Sequence, residues 1–556
     1  MYNLLIGGAA GQGIETTAAI LEKLLKRSGY SVFTVRDFMS RVRGGHNFSL
    51  IRFGAEEVLS HSSRLDGIIA LNDETVELHK EELNPDGFIL CDSKLSANDP
   101  RALKIPMDDM AKALGNQRAA GSIAIGAVLK LFGESLDYAA DVLKEFIKEQ
   151  YLEVNLKAVE KGYGITDKRF PRLEGGFGGR LLISGSKAMS LGAIAAGLRF
   201  YSAYPMSPST AIMEYLASVS DEAGIVVEQA EDEIAAVNMA IGASYAGARA
   251  MTGTSGGGFS LMVEALGLSG MAEIPLVVAN VQRPGPVTGL PTRTEQSDLK
   301  FVISASQGEF PRMVIALRNH TDAFYQTARA FKLAEKYQIP VIILSDQYLG
   351  DASATVEPFD MNAVAIASGP EIPEDGGEYL RYRFTEDGIS PRLIPGKTEN
   401  LVSADSDEHD EHGRITESAE MRTSMMDKRM KKLEKLGLEL QEPEFLGSEV
   451  FETLFVGWGS TYGPIAEAVK LLNEKEAGKY AALVFGDIYP LPQRLLIEKA
   501  AASQRIISIE QNATGQLKDL IREQTGIACT GCILKYDGRQ ISGEEIAAGV
   551  TKGVLK

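Results

Sequence analysis

The chain has 556 residues, 44% of them hydrophobic and 24% charged, with a mean hydropathy of −0.05; this excludes wholesale disorder and collagen-like repeats, and the length calls for about three to five domains. Lys and Arg number 57 against 75 Asp and Glu, a net charge of −18, and no Lys/Arg block is long enough to make a duplex-binding face, which excludes nucleic acid as a partner. No apolar run approaches the roughly 18–20 residues of a membrane-spanning helix, and the opening MYNLLIGGAAGQGIE has neither the basic start nor the cleavage site of a secretory signal.

The first segment, residues 1–173, begins with an apolar strand at Tyr2–Ile6 and a glycine-rich turn, Gly7 to Gly13. A helix (TTAAILEKLLKRSG) and a second strand (SVFTV) follow, which is the opening of a βαβ unit with a parallel sheet. Bare backbone N–H groups at such a helix start can approach an anion. Ala10 stands where the strict dinucleotide fingerprint has glycine, so a tight structural turn is the preferred reading.

The Pro/Gly-rich stretch KRFPRLEGGFGGR, 168–180, reads as a linker. After it, residues 181–370 alternate apolar strands (IVVEQ, IPLVVAN, IPVIILSD) with small-residue helices, predicting another parallel sheet covered on both faces. Three clusters here carry chemistry. Tyr204-Pro205-Met206-Ser207-Pro208-Ser209-Thr210 is a proline-rigidified loop beyond a strand's carboxyl end, where ligands of open α/β sheets bind; otherwise Ser207 or Ser209 caps the next helix. Glu231, Asp232 and Glu233 stand at a helix start, where the macrodipole favours acids; one of them could instead reach a ligand past the small residues Ala235 and Ala236. The stretch from Gln282 to Gln296 carries Arg283 and Arg293, both suited to bidentate carboxylate recognition or to solvation in a surface loop.

Residues 371–447 are charge-dense. The Asp/Glu/His run Asp405–His412 reads as a solvated insertion, followed by a helix from Met426, rather than as a metal site. Residues 448–556 return to β-α-β-α order as a third α/β domain. Three cysteines, Cys91, Cys529 and Cys532, cannot make a disulfide framework, so a reducing cytoplasm is expected. They also fall short of the four thiolates that a [4Fe–4S] cluster takes.

Taken together, YPMSPST, VEQAEDEIAAVNMAIGASYAGARAMTGTSGGGFSLM and QRPGPVTGLPTRTEQSD resemble the alpha subunit of 2-oxoacid:ferredoxin oxidoreductases. GGAAGQG with DFMSRVRGGHNFSLIRF resembles the same family's gamma domain, joined ahead of alpha. The SDEHDEHGRITES insertion, MMDKRMKKL, FVGWGSTYGP, SIEQNATGQL and KYDGRQIS also fit, in a consistent order along the chain.

The resemblance implies three doubly wound α/β domains: a gamma domain, a pyrimidine-binding domain for thiamine diphosphate, and a transketolase-C-terminal-like domain. It implies a glutamate that serves the aminopyrimidine ring. Glu231 is the first choice, because Ala235 and Ala236 match the small pair that follows this residue in related enzymes, and Glu233 is the rival. Tyr204, Pro205 and Ser207 fall in the loop beside substrate and cofactor. Met206 and Ser207 replace the usual Ile and Thr, so the hydroxyl is kept with a freer rotamer. Arg293 falls where the family places an arginine on the oxoacid carboxylate, with Arg283 as the alternative; Val287 departs from the usual serine.

The family's magnesium-binding G-D-G…N motif and four-cysteine cluster set are absent; Gly486-Asp487 continues IYP and is no such motif. The resemblance assigns both features to a separate beta subunit, so this chain is expected to be inactive alone and to work as (alpha-beta)2 with ferredoxin, coenzyme A and a 2-oxoacid. Arg41, Arg43 and Arg52 are candidates for a coenzyme A patch. 2-Oxoglutarate is favoured as substrate over pyruvate or branched 2-oxoacids. The rival readings are an NAD(P)-binding oxidoreductase built on the glycine turn and a non-catalytic scaffold that keeps the fold.

Overall fold

The computed structural model of the chain describes residues 1–39, 45–366 and 378–552. Its apolar runs form three sheets, as the alternation of short strands and small-residue helices predicts. The chain divides into two compact units: Met1–Ser184 with Asp351–Pro358, and Gly185–Gly350 with the described residues from Phe359 onward.

The first unit is built on an eight-stranded sheet. Its strand Tyr2–Ala9 sends Leu4 and Ile6 into one buried cluster and Leu5 into another on the opposite face, the alternation a pleated strand imposes. It pairs parallel with Leu65–Ala70, and the sheet continues parallel through Leu83–Asp92 to Ala102–Ile105. On its other side the βαβ expectation fails. Ser31–Asp37 does not lie beside Tyr2–Ala9, because His46–Gly54 comes between them and is antiparallel to both. Hydrophobic pattern fixes which residues are strands, but not which strand is a neighbour. Leu181–Ser184 and Ser353–Val356, both read from sequence as part of the middle segment, form the far edge of this sheet by antiparallel pairing.

The second unit holds a seven-stranded and a five-stranded sheet. In the first, Met313–Ala316, Pro340–Asp346, Leu276–Gln282, Ala250–Thr254, Phe200–Ala203 and Val226–Gln229 are parallel neighbours in that order. In the second, Tyr480–Phe485, Thr453–Trp458, Arg505–Glu510 and Gly531–Leu534 run parallel, with Glu444–Gly447 antiparallel at one edge. The chain from 448 onward keeps one core to itself, around Phe455, Ile465, Val484 and Ile546, and shares a second. Asp487–Tyr489 crosses to pair with Met313–Ala316. Leu454, Trp458, Phe485 and Leu517 share one buried cluster with Val237, Phe259, Val278 and Val314.

Of the Asp405–His412 run only His409 is buried, so that run lies largely at the surface as expected, but charges on either side of it do not. Arg381, His409, Lys428, Arg429 and Lys432 are all buried. They are tolerated because partners arrive with them. Glu273 is fully buried and lies 2.6 Å from both Lys428 Nζ and Lys432 Nζ, while Glu408 takes Arg429 at 2.8 Å. Burial works against the ionised form of Glu273, but the two lysines and Arg381 together hold its carboxyl well below the usual carboxylate range. The helix Ala419–Gly437 starts ahead of the Met426 position read from sequence, and it docks through these ion pairs together with buried Met425 and Leu436. Among the described residues no helix is long and apolar enough to cross a membrane.

Candidate active site

Four adjacent parallel strands, Leu276–Gln282, Ala250–Thr254, Phe200–Ala203 and Val226–Gln229, end at the same edge of the seven-stranded sheet. The three sequence clusters follow those ends directly, which is where an open α/β sheet offers a crevice.

After Phe200–Ala203 the chain turns through Tyr204, Pro205, Met206 and Ser207. Tyr204 and Ser207 are exposed and Pro205 half-buried. Ser209 does not cap the next helix with its side chain; its hydroxyl donates to the Met206 carbonyl at 2.7 Å and closes the loop on itself. From outside the loop, Arg283 Nη1 donates to the Ser207 carbonyl at 2.5 Å.

The acidic cluster separates into three roles. Asp232 is the N-cap of the helix Glu233–Tyr245 and accepts from the Ala235 N–H at 2.7 Å, as the helix-start reading anticipates. Glu231, the first choice for the aminopyrimidine carboxylate, is exposed. Glu233, the rival, is 3% exposed, and its Oε1 is buried without a hydrogen-bond partner. A buried carboxylate oxygen left open is costly unless something is meant to meet it. Gly258, in the first turn of the helix Gly256–Met271, makes room for it: a Cβ there would lie 2.5 Å from Glu233 Oε1 and 2.1 Å from Thr254 Oγ1. The Thr254 hydroxyl in turn faces Met206 Sδ at 3.9 Å. Glu233, Thr254, Gly258 and the Met206 loop are therefore neighbours.

The third cluster reaches the crevice through Arg283 and through Val287, whose carbonyl would lie 3.4 Å from a Cβ on Gly257. Arg293 is 8% exposed, and Arg283 is half-buried over the Ser207 loop. Val287 projects into solvent at φ 58. At the loop's end Asp298 stands against the same helix start: a Cβ on Gly256 would lie 2.5 Å from Asp298 Oδ2, which also accepts from Asn280 Nδ2 at 3.1 Å. Burial pushes the Asp298 carboxyl up to about 6, against the pull of Asn280 and Arg283. Sequence reasoning singled out neither Thr254, Gly258 nor Asp298. The TGTSGGG run, strand end into helix start, was the available signal for the first two.

Other expected sites resolve differently. Arg41 and Arg43 lie outside the described residues. Arg52 is buried and donates to the Ser60 carbonyl at 3.0 Å, so it ties down its own unit instead of presenting a surface cation for coenzyme A. The glycine turn lines a cavity of about 300 Å³ with Thr16, Arg36, Asn47 and Ser49. The antiparallel strand His46–Gly54 separates Tyr2–Ala9 from Ser31–Asp37, so the two strands that flank the turn's helix are not the adjacent parallel pair of a dinucleotide-binding βαβ unit. Asp487, of the Gly486-Asp487 pair, is buried and bonded to Arg329 at 2.6 and 2.8 Å. Among the described residues no group of three or more His, Cys, Asp or Glu is placed to hold a metal ion.

Charges of both signs gathered at the carboxyl ends of adjacent parallel strands are the layout of a ligand-binding crevice in an open α/β protein. Comparison with known proteins narrows the class. Residues 191–428 match the family model described as pyruvate flavodoxin/ferredoxin oxidoreductase, thiamine diphosphate-binding, and residues 3–165 match that of pyruvate ferredoxin/flavodoxin oxidoreductase. The 2-oxoacid:ferredoxin oxidoreductase alpha subunit of a Sulfolobus species is 32% identical over 99% of this chain and 96% of its own length. The 2-oxoglutarate synthase subunit KorA of Methanothermobacter thermautotrophicus is 32% identical over 66% of this chain and 98% of its own. The 2-oxoglutarate:ferredoxin oxidoreductase of Magnetococcus marinus, solved with 2-oxoglutarate, coenzyme A and succinyl-CoA bound, superposes with a TM-score of 0.93 at 31% identity, covering 100% of this chain and 99% of that one. The chain belongs to the 2-oxoacid:ferredoxin oxidoreductase family, oxidoreductases with a thiamine-diphosphate-binding domain.

Proposed function

We propose that this chain is the alpha-type subunit, with a gamma domain fused ahead of it, of an enzyme that converts a 2-oxoacid, coenzyme A and oxidised ferredoxin into acyl-CoA, carbon dioxide and reduced ferredoxin, with 2-oxoglutarate the favoured substrate. The likeness to KorA and to the Magnetococcus enzyme supports that substrate. The observation that carries the reading is the buried, unpartnered Oε1 of Glu233 in the cradle left by Gly258. A thiamine aminopyrimidine fits such a place, because its ring nitrogen is a polar atom that must be met as it leaves water. Bound there, thiamine diphosphate supplies a nucleophilic carbon and an electron sink for decarboxylation.

The chain's own residues do the rest. Glu233, rather than the exposed Glu231, holds the proton at the pyrimidine nitrogen. Tyr204 and Pro205 wall the cofactor side of the loop, and the Ser207 hydroxyl, on a backbone whose carbonyl is held by Arg283, orients the oxoacid. Arg293 takes the carboxylate through charge-assisted hydrogen bonds worth roughly 1.5–3 kcal/mol.

A partner completes the site. The chain has three cysteines and no G-D-G…N motif, so a beta subunit carries magnesium and the iron–sulfur cluster, and the pair assembles as (alpha-beta)2 in the cytoplasm. Ile234, Leu261, Val287 and Leu290, on the segments that frame the crevice, are exposed apolar side chains for that partner to cover. The segments 1–173, 181–370, 371–447 and 448–556 serve as gamma domain, pyrimidine-binding domain, insertion and transketolase-like C-terminal domain.

The test is 2-oxoacid- and coenzyme A-dependent viologen reduction by the purified two-chain complex, with 2-oxoglutarate, pyruvate and 3-methyl-2-oxobutanoate compared. Glu233→Gln is expected to abolish turnover and Glu231→Gln to leave it. Full activity in Glu233→Gln overturns the assignment.

A further inference from the structure

The loop that carries Arg293 leaves the strand Leu276–Gln282 and returns at the helix Leu299–Ser304. Its stem is closed locally, where Gln282 Oε1 accepts from the Asp298 N–H at 3.0 Å. Its other arm is held by residues more than 150 positions away in sequence, in the SIEQN and KYDGRQ stretches, which the reaction as described does not use.

Gln296 is the centre of that hold. It is fully buried, and all four of its polar groups are spent on the C-terminal segment. Its backbone N–H donates to the Gln511 carbonyl at 2.7 Å, and its Oε1 accepts from the Gln511 N–H at 3.2 Å. Its Nε2 donates to the Trp458 carbonyl at 2.8 Å, and its carbonyl accepts from Asn512 Nδ2 at 3.2 Å. One residue further on, the Ser297 carbonyl accepts from Gln516 Nε2 at 2.7 Å. On the other side of Arg293 the Thr294 N–H donates to the Gly538 carbonyl at 3.3 Å. Gly538, at φ 77, passes so close that a Cβ on it would lie 3.2 Å from Arg293 Cβ and 3.5 Å from Arg293 Cγ.

We propose that Gln296 and Gly538 are positioning residues for Arg293, through which the C-terminal sheet sets where the guanidinium meets the oxoacid carboxylate. This rests on the reading of Arg293 as the carboxylate anchor. An arginine side chain has many rotamers, and fixing its backbone on both sides, with a wall against its first two carbons, is what limits them. A displacement near 1 Å at such a group is worth about a hundredfold in rate. The same contacts leave the Glu233 cradle untouched, since that is built from other segments.

The experiment is a double-mutant cycle on the two-chain complex with 2-oxoglutarate. Gln296→Met keeps the side-chain volume and removes the two side-chain bonds, to the Gln511 N–H and the Trp458 carbonyl. Gly538→Ala leaves the bonds of Gln296 in place and brings a Cβ to 3.0 Å from Leu290 Cδ1 and 3.2 Å from Arg293 Cβ at a φ of 77, so it tests the idea by a second route even if Gln296→Met fails to fold. Each should raise the KM for the 2-oxoacid about tenfold, with the KM for coenzyme A and the Kd for thiamine diphosphate unchanged. In an Arg293→Ala background neither should raise the 2-oxoacid KM further, because both act through Arg293. Additive effects in that background, or an unchanged KM in the singles, overturn the proposal while leaving Arg293 as anchor. An unchanged KM in Arg293→Ala itself overturns the anchor, and the proposal with it.

Discussion

Gly258→Ala tests the cradle at its tightest point. The added Cβ would lie 2.1 Å from Thr254 Oγ1, 2.5 Å from Glu233 Oε1 and 2.7 Å from Glu233 Cγ. Ordinary non-bonded contact needs about 3.5–4.0 Å, so the glutamate side chain must move by about 1 Å or the helix Gly256–Met271 must back away. Overpacking of this kind costs about 1–3 kcal/mol, offset by up to about 1 kcal/mol from replacing glycine in a helix. The expected net loss of stability is therefore about 0–3 kcal/mol, small enough for the variant to fold. The functional loss is larger: a carboxylate displaced by about 1 Å from a reacting group costs on the order of a hundredfold. Viologen reduction by the two-chain complex should thus fall about a hundredfold while urea unfolding shifts little. Gly164→Ala, whose Cβ would meet nothing within 4 Å in a helix of the first unit, should keep full activity. Wild-type turnover by Gly258→Ala would refute the claim that the position of Glu233 governs the chemistry.

Three further outcomes are expected. Glu273→Gln leaves Lys428 and Lys432 buried without their carboxylate and should cost roughly 3–5 kcal/mol of stability, read as a lower urea midpoint. Asp346, fully buried and tied to the Leu349 N–H at 3.0 Å and to the Ser460 hydroxyl, has its carboxyl pushed by burial from 3.8 up to about 6. Its contribution is present below about pH 4 and lost as pH rises through about 6, so Asp346→Asn should gain up to about 3 kcal/mol on the wild type between pH 4 and pH 8; parallel stability curves for the two proteins would contradict this. Ser207→Ala should raise the KM for the 2-oxoacid several-fold, whereas Ser207→Thr, which keeps the hydroxyl and restricts its rotamer, should match or improve on the wild type in the same assay.

What the sequence determined by itself was a matter of local pattern. Short apolar runs alternating with Ala/Gly-rich helices dictated α/β sheets, and prolines, glycines and charges just past strand ends marked the crevice. The resemblance carried by those stretches named the family that whole-chain comparison then established. Tertiary structure alone decided the matters that depend on neighbours distant in sequence. Hydrophobic period cannot say that His46–Gly54 lies between two strands it follows, or that Ser353–Val356 returns to the first sheet, because backbone pairing carries no side-chain signature. Three acids in a row look alike on paper; one is exposed, one caps the helix and one is sealed under Gly258, and burial is a property of what packs above. That Lys428, Arg429 and Lys432 of the helix after the insertion go inside was not legible, because charge normally seeks water and the partners that bring them in, Glu273 and Glu408, are supplied by other segments. Arg293 is proposed as the anchor on the strength of the family resemblance, with Arg283 as its alternative. The hands that hold it, Gln296 and the turn at Gly538, became visible only when the C-terminal sheet was folded against them.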